Sequence, residues 1–206
     1  MITFNYENNT MIPSDPFQLW SAWFKEAQAT EQTPLVGALA TSNAQGYPSV
    51  RFMHFHAIDD QSFVFHTDMS SPKSADLTQN PQAAVTWWWA SVGKHIRVEG
   101  PVSLVSQEKA DALFQELPRR LQIMMTIFAQ SSELPLDTDV AKLMNIEIEK
   151  YGDSLMQRPN NCGGYRIHPE RMEFFHVYET EVQKIVNNRF LYCKKNEAWQ
   201  LTRLAP

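Results

Sequence analysis

The chain has 206 residues, 43% hydrophobic and 12% aromatic with six Trp, enough apolar material to bury the core of one globular domain. A formal net charge of -5 and the lack of any Lys/Arg run disfavour a nucleic-acid partner. No apolar run reaches the ~18 residues of a membrane span, and Met1-Ile2-Thr3-Phe4-Asn5-Tyr6 lacks a basic-then-apolar signal pattern, so a cytoplasmic protein without a membrane partner is expected.

Residues 1–13 are polar and read as an irregular arm, which leaves 14–206 as a single domain. Ser14 is placed to cap a helix, with Asp15 and Pro16 in its first turn and Phe17, Trp20, Phe24 and Ala27 at helical spacing. Leu35 to Thr41 reads as a strand, and Asn43-Ala44-Gln45-Gly46 turns it into a second, Ser49 to His56, closing a first hairpin over 35–57. Along that second strand the pleat sets Arg51, Met53 and Phe55 on one face and Phe52, His54 and His56 on the other. Phe63 to Thr67 is a third strand-like run, joined to the second by the polar Asp59-Asp60-Gln61, so a second hairpin is expected there. It opens into Ser70-Ser71-Pro72-Lys73 and a helix from Pro72 to Thr78, ended where Pro81 biases Asn80 away from helix.

Ala83 to Trp89 is a β-prone run whose three adjacent Trp cannot all face one way. Lys94 to Leu104 is a long strand with a bulge or bend at Gly100-Pro101. A helix follows from Ser106, interrupted at Pro118; Leu121 to Ala129 makes a second, and Val140 to Tyr151 a third that presents Val140, Leu143, Met144 and Ile148. Strands at Tyr165 to His168, Met172 to Tyr178, Arg189 to Cys193 and Trp199 to Leu204 complete the chain. Strands that do not alternate regularly with helices argue for a mainly β, α+β fold: an antiparallel barrel with flanking helices. Cys162 and Cys193 lack CxxC spacing and ligand-rich surroundings, so inert thiols and no metal are expected.

Arg51 on a strand offers a fork of donors, and Lys73 a point charge in the first turn of a helix whose free N–H groups favour negative charge. Together they suit a phosphate. Four of the six histidines, His54, His56, His66 and His95, fall on strands near them; half-buried barrel residues and proton carriers are both open readings.

From about Asp15 to Pro206 the order and spacing of Arg51, Thr67, Ser71-Pro72-Lys73, Asn80-Pro81, Val98-Glu99-Gly100, Gln130-Ser131, Gly163-Gly164-Tyr165-Arg166, Glu173-Phe174, Arg189-Phe190 and Arg203-Leu204-Ala205-Pro206 resemble the pyridoxamine 5'-phosphate oxidase family. The resemblance implies an FMN-binding split β-barrel, a homodimer paired through a segment at about 163–206, and an FMN-dependent oxidase acting on a small molecule. It assigns the FMN phosphate to Arg51, Lys73 and Ser71, with Gln130 and Ser131 reaching across from the other chain. The flavin ring would lie against Phe52, Met53 and His54, near His66, Thr67, His95, Phe175 and Arg189. The family usually has Arg where Pro72 stands, Tyr at His66, Gln at His95 and Trp at Phe175.

The substrate side departs further. The family's Tyr, Arg and Ser for the substrate phosphate fall on Leu113, Leu117 and Leu121, its ring-contacting Arg and His on Ile185 and Asn187, and a substrate-side Lys on His56. Those six positions are the expected substrate pocket, and His56 and Arg189 are the catalytic candidates. The spacing of the three leucines also fits an ordinary helical core stripe. Three functions stay open: an FMN oxidoreductase with a less charged substrate, a divergent vitamin B6 phosphate oxidase with anchors at Arg97, Arg119 or Arg120, and a flavin carrier or sensor.

Overall fold

The computed structural model of the protein describes residues 3–5, 10–56, 61–179 and 185–205. Six strands form a circuit: β3 (Val36–Ser42), β4 (Pro48–His54), β5 (Phe63–Asp68), β6 (Gln82–Trp89), β7 (Lys94–Leu104) and β8 (Cys162–Ile167). All their ladders are antiparallel, β4 on β3, β3 on β6, β6 on β7, β7 on β8 and β8 on β5. The circuit is split between β4 and β5.

There the expected hairpin is not formed. Among the described residues a single bridge, Phe55 opposite Phe65, and one backbone bond from His56 N to Val64 O at 2.8 Å stand in place of a ladder between the two runs. The polar Asp59-Asp60-Gln61 signals a turn but not a register, and residues 57–60 lie outside the described residues. Phe63, Val64 and Phe65 are all buried, so this strand needs cover on both faces, and it takes its ladder from β8, from Phe63 opposite Ile167 to Asp68 opposite Cys162.

β7 serves two partners. Its first half pairs with β9 (Arg171–Glu179) and its last three residues with β8, the exchange falling at Gly100-Pro101. The ladder to β6 runs on unbroken through Ala83–Gly100 and Gln82–Pro101, so the site is a bend and not a bulge. β10 (Ile185–Lys195) and β11 (Ala198–Arg203) extend the sheet beyond β9, turning at Asn196-Glu197, where both residues have positive φ as a type I′ hairpin requires. At the N-terminus β1 (Thr3–Asn5) pairs with β2 (Thr10–Ile12), so the arm is not irregular throughout.

The barrel core is aromatic. Helix α1 (Pro16–Thr30) is capped by Asp15, not Ser14: its carboxylate accepts from Phe17 N at 2.9 Å, because Pro16 at the first helical position puts the cap directly before it. The helix lays Phe17, Trp20, Trp23 and Ala27 on the barrel, and the Trp20 ring meets Phe63 and Trp87 edge-on at 4.8 Å. Trp87 and Trp89 are buried, and Trp88 between them is exposed on the opposite face, as the pleat demands.

A helical layer packs outside. It comprises α3 (Gln107–Glu116), α4 (Arg119–Ile127) and α5 (Val140–Tyr151), while α2 (Pro72–Gln79) packs on the barrel core through Leu77. Its own core joins Phe114, Leu117, Ile123, Met144, Met156 and Cys162. Pro118 separates α3 from α4, and the buried Gln122 ties them by donating to Phe114 O at 2.9 Å. On α5, Met144 and Ile148 turn inward, whereas Val140 and Leu143 are exposed, because this helix is covered along one stripe only.

The bend in β7 gives the first test. A Cβ on Gly100 would stand 2.0 Å from His168 O, a backbone atom that cannot swing away. We predict that Gly100→Ala costs about 1–3 kcal/mol of stability, read as a shift in urea midpoint. An unchanged midpoint would show that the partner exchange does not depend on this approach.

Candidate active site

Two cations meet at the split. Lys73, in the first turn of α2, is almost fully buried, and its Nζ donates to Gln130 Oε1 at 2.6 Å, Thr67 Oγ1 at 2.9 Å and Ser71 Oγ at 3.0 Å. Arg51, on β4, donates from Nη1 to Thr41 Oγ1 at 2.7 Å and to the carbonyls of Ser49 and Leu39 at 3.3 and 3.4 Å. Each of these acceptors is neutral. The carboxylate of Asp76 is reached from Arg51 through Thr41, whose hydroxyl donates to Asp76 Oδ2 at 2.6 Å. Burial, followed by repulsion from Arg51, lowers Lys73 to about 8 against the opposing pull of Asp68, and burial lowers Arg51 as well.

Asp68 builds the wall beside them. Its carboxylate accepts from Ser70 N and Oγ at 2.7 and 2.6 Å, from Gln130 N at 2.9 Å and from Asn161 Nδ2 at 2.9 Å. Burial, the largest influence, pushes this carboxyl up, but the four bonds together hold it below the usual range. In this way Gln130, with Ser131 beside it at φ 70°, is held on the chain's own Lys73 and Thr67, and not presented to a partner as expected. The Asx-turn pattern of Asp68-Met69-Ser70 was the sequence signal for this residue.

A cleft of about 350 Å³ opens here, lined by Met53, His66, Thr67, Asp68, Gln130 and Ser131 and, from α4 and its exit, Leu121, Met124, Met125 and Phe128. Of the three leucines expected in a substrate pocket, only Leu121 lines it. Leu113 and Leu117 are buried at 2% and 8% exposure and lie off the cleft wall, because Pro118 turns α4 away from α3. Met124, Met125 and Phe128 were not singled out from sequence, since apolar residues on a helix read equally as core.

The remaining expected ring contacts are elsewhere. His95, Phe175 and Arg189 form one cross-strand row over β7, β9 and β10, on the face opposite the core residues Ile96, Phe174 and Phe190. Arg189 Nε donates to Glu173 Oε1 at 2.8 Å, Arg97 bonds the other carboxylate oxygen at 3.0 Å, and His95 Nε2 lies 2.5 Å from Thr86 Oγ1. None of the three lines the cleft. Phe52 and His54 share that outer face by register and are exposed, and Asn187 follows it two residues before Arg189; the side chain of Ile185 lies outside the described residues. One chain therefore holds the expected ligands as two separate groups.

Comparison with known proteins accounts for that order of parts. Residues 24–151 match a family model described as pyridoxamine 5'-phosphate oxidase, and residues 163–206 match the model of the pyridoxine 5'-phosphate oxidase C-terminal dimerisation region. The chain belongs to the pyridoxamine 5'-phosphate oxidase family. Pyridoxine/pyridoxamine 5'-phosphate oxidases of Gluconobacter oxydans and Chromohalobacter salexigens are 34% and 36% identical to it, covering 95% and 94% of this chain and 96% and 90% of their own. Among solved structures, PhzG from Burkholderia lata, in complex with tetrahydrophenazine-1-carboxylic acid, superposes with a TM-score of 0.84 at 28% identity over 94% of both chains. An FMN-binding protein of Nostoc punctiforme, at 17% identity and a TM-score of 0.77 over 95% of this chain and 100% of its own, shares the fold. No helix among the described residues is long and apolar enough to cross a membrane.

Where this oxidoreductase family usually has Lys and Tyr, the chain pairs two imidazoles: His56 Nε2 and His66 Nδ1 are 3.0 Å apart. His56 Nδ1 lies 3.7 Å from the carboxylate of Glu116, a residue with no sequence signal that would place it here. Burial is the first cause lowering His54, His56 and His66, and His66, which also feels His56 and His54, falls to about 4. His66 is therefore neutral at pH 7. Cys162, by contrast, is pushed up to about 11 by burial and is no nucleophile. Among the described residues no cluster of His, Cys, Asp and Glu could hold a metal ion.

The histidines set an acid limit. Unfolded His66 binds its proton near 6.5 and the folded form only near 4, so acid favours the unfolded chain across that window. Stability of the unloaded protein should fall by up to about 3 kcal/mol from this residue as pH drops from 6.5 to 4. Thermal melts of wild type and His66→Gln over that range check it: the variant should lose that part of the slope, and identical slopes would contradict a buried neutral imidazole.

Proposed function

We propose that the protein is a homodimeric, FMN-dependent oxidoreductase acting on a small molecule that carries less charge than a vitamin B6 phosphate. The observation that carries the reading is the pair of buried or half-buried cations, Arg51 and Lys73, whose direct partners are all neutral oxygens. Among the described residues neither cation has a carboxylate on it, so the two repel one another, and a phosphate would relieve both at once. Arg51, Lys73 and Ser71 would hold the FMN phosphate, with Gln130 and Ser131 closing over it. Thr67, Met53 and His66 would line the ring.

Bound there, FMN supplies the two-electron chemistry. The protein's part is to fix the ring, shield it from water and provide hydrogen bonds. The row His95, Phe175 and Arg189 would complete the ring site of a second chain, reversing the expected exchange: the phosphate residues act within one chain, and the row on the outer face acts in the other. The dimerisation-region match over 163–206 supports this, since that segment carries both Phe175 and Arg189.

The apolar cleft wall supports the substrate class. A phosphate dianion pressed against Leu121, Met124, Met125 and Phe128 would lose its water without gaining a partner. PhzG, the relative at 28% identity, was captured with a ring compound bearing a carboxylic acid and no phosphate. The names of the Gluconobacter and Chromohalobacter relatives favour a second reading, a divergent B6 phosphate oxidase. Its proposed anchors are mostly engaged elsewhere: Arg97 with Glu99 and Glu173, and Arg119 with the carbonyls of Tyr151 and Gly152.

Fluorescence titration separates phosphate from ring. Arg51→Ala should weaken FMN about tenfold to a hundredfold while leaving riboflavin nearly unchanged. Because Lys73 sheds its proton near 8 in the free site and a bound phosphate retains it, FMN affinity should fall by up to about tenfold per pH unit above pH 8, with riboflavin flat. Equal losses for both ligands would remove the phosphate assignment. With FMN bound, steady-state oxidation of pyridoxine and pyridoxamine 5'-phosphate should fall well below ~10⁴ M⁻¹s⁻¹ in kcat/KM, and a value above it would establish the second reading. Bound flavin that no electron donor reduces and oxygen does not reoxidise would instead indicate a carrier.

A further inference from the structure

We propose that His56 and His66 form a two-imidazole proton relay running from the flavin cleft to solvent at Glu116, and that it serves the oxidoreductase reaction. Three observations place it. His66 lines the cleft, its Nδ1 shares one hydrogen with His56 Nε2 at 3.0 Å, and His56 Nδ1 faces the carboxylate of Glu116 at 3.7 Å. Solvent access rises along the line, from the 15% exposed side chain of His56 to the 65% exposed Glu116.

The chemistry follows from the shared hydrogen. A neutral imidazole has one N–H and one lone pair, so in this pair one ring donates and the other accepts. When Nδ1 of His66 donates to His56, Nε2 of His66 is a bare lone pair. A proton released in the cleft forms a new N–H at that Nε2. The Nδ1 hydrogen of His66 crosses to His56 Nε2, and the His56 Nδ1–H bond breaks toward Glu116 and water. One proton enters, one leaves, and both rings end neutral with their tautomers exchanged. Run backward, the same shifts deliver a proton inward. A substrate oxidised here would lose its C–H hydrogen with the electron pair, as hydride, to the bound flavin and its heteroatom proton to His66 Nε2.

The surroundings keep the pair neutral between passages. His56 is faced by Glu116 and Lys109 of α3 and by His54 of its own strand, and His66 by His56 and His54. Burial is the first influence on both rings, so neither stores the proton at neutral pH.

The test has two arms. In unloaded protein with ¹⁵N-labelled histidine at pH 7, a scalar coupling between His56 Nε2 and His66 Nδ1 should be seen, since it passes only through a shared hydrogen bond. Its absence would overturn the relay. The second arm rests on the flavin reading: FMN-loaded protein is reduced with dithionite and mixed with oxygen, so that reduced FMN anion, O₂ and one proton give FMN and H₂O₂. His56→Gln keeps a hydrogen-bonding side chain but cannot pass a proton, and it should slow reoxidation at least about tenfold, with added imidazole restoring the rate. An unchanged rate, or a loss that imidazole does not rescue, would overturn the relay while FMN binding stands. Failure to bind FMN would sink the function instead, and the coupling in the unloaded protein would then decide whether the pair exists.

Discussion

Two positive charges are held within each other's field by neutral oxygens, and much of the site is arranged to keep them there. Neither Arg51 nor Lys73 is free to swing into water. Arg51 projects from a strand and is tied through Thr41 to Asp76 of α2, and Lys73 stands in the first turn of that same helix with three acceptors around its ammonium. Strand and helix are therefore cross-linked by the charges' own partners. The fold bears the cost of desolvating them, and the proposed anion would offset it, which is the logic of a preorganised binding site.

The split in the barrel would make room for what the proposed anion carries. Had β4 and β5 zipped into the hairpin that their polar linker invites, the gap would be filled by backbone. Instead β5 turns to β8, and Asp68 at its end catches Gln130 and Asn161 from two distant loops. That carboxylate is held by bonds from Ser70, Gln130 and Asn161. It converts the segment after α4 into a wall, and α4 contributes Leu121, Met124 and Met125 to the same cleft.

Strands and helices were legible because the chain's local signals agree with its tertiary demands. The pleat placed Arg51 and Met53 together, Pro118 marked the break between α3 and α4, and the Trp triplet had to divide between two faces. What failed was partner choice. Nothing in Phe63-Val64-Phe65 says which ladder it will join, because an apolar run specifies burial and not register. The leucine stripe failed for a related reason: Leu113 and Leu117 precede the Pro118 break and Leu121 follows it, so equal spacing in sequence did not mean one surface. The imidazole pair needed the β4–β5 approach itself, a contact ten residues apart with no periodic signature.

The outer face of the sheet shows how cofactor and assembly become linked. Glu173 is 4% exposed within a single chain, enclosed by Arg97, Arg171 and Arg189, while Trp88 and Phe52 nearby are 55% and 77% exposed. An ion network bordered by bare aromatic surface has the make-up of an interface awaiting its second side. Glu173 also fixes the guanidinium of Arg189, the residue proposed to reach a neighbour's flavin. If the neighbour's phosphate group and this row meet only in the dimer, FMN binds the pair better than the single chain, and by linkage it must strengthen pairing by the same factor. Cofactor loading would then act on the quaternary structure as strongly as pairing acts on the cofactor.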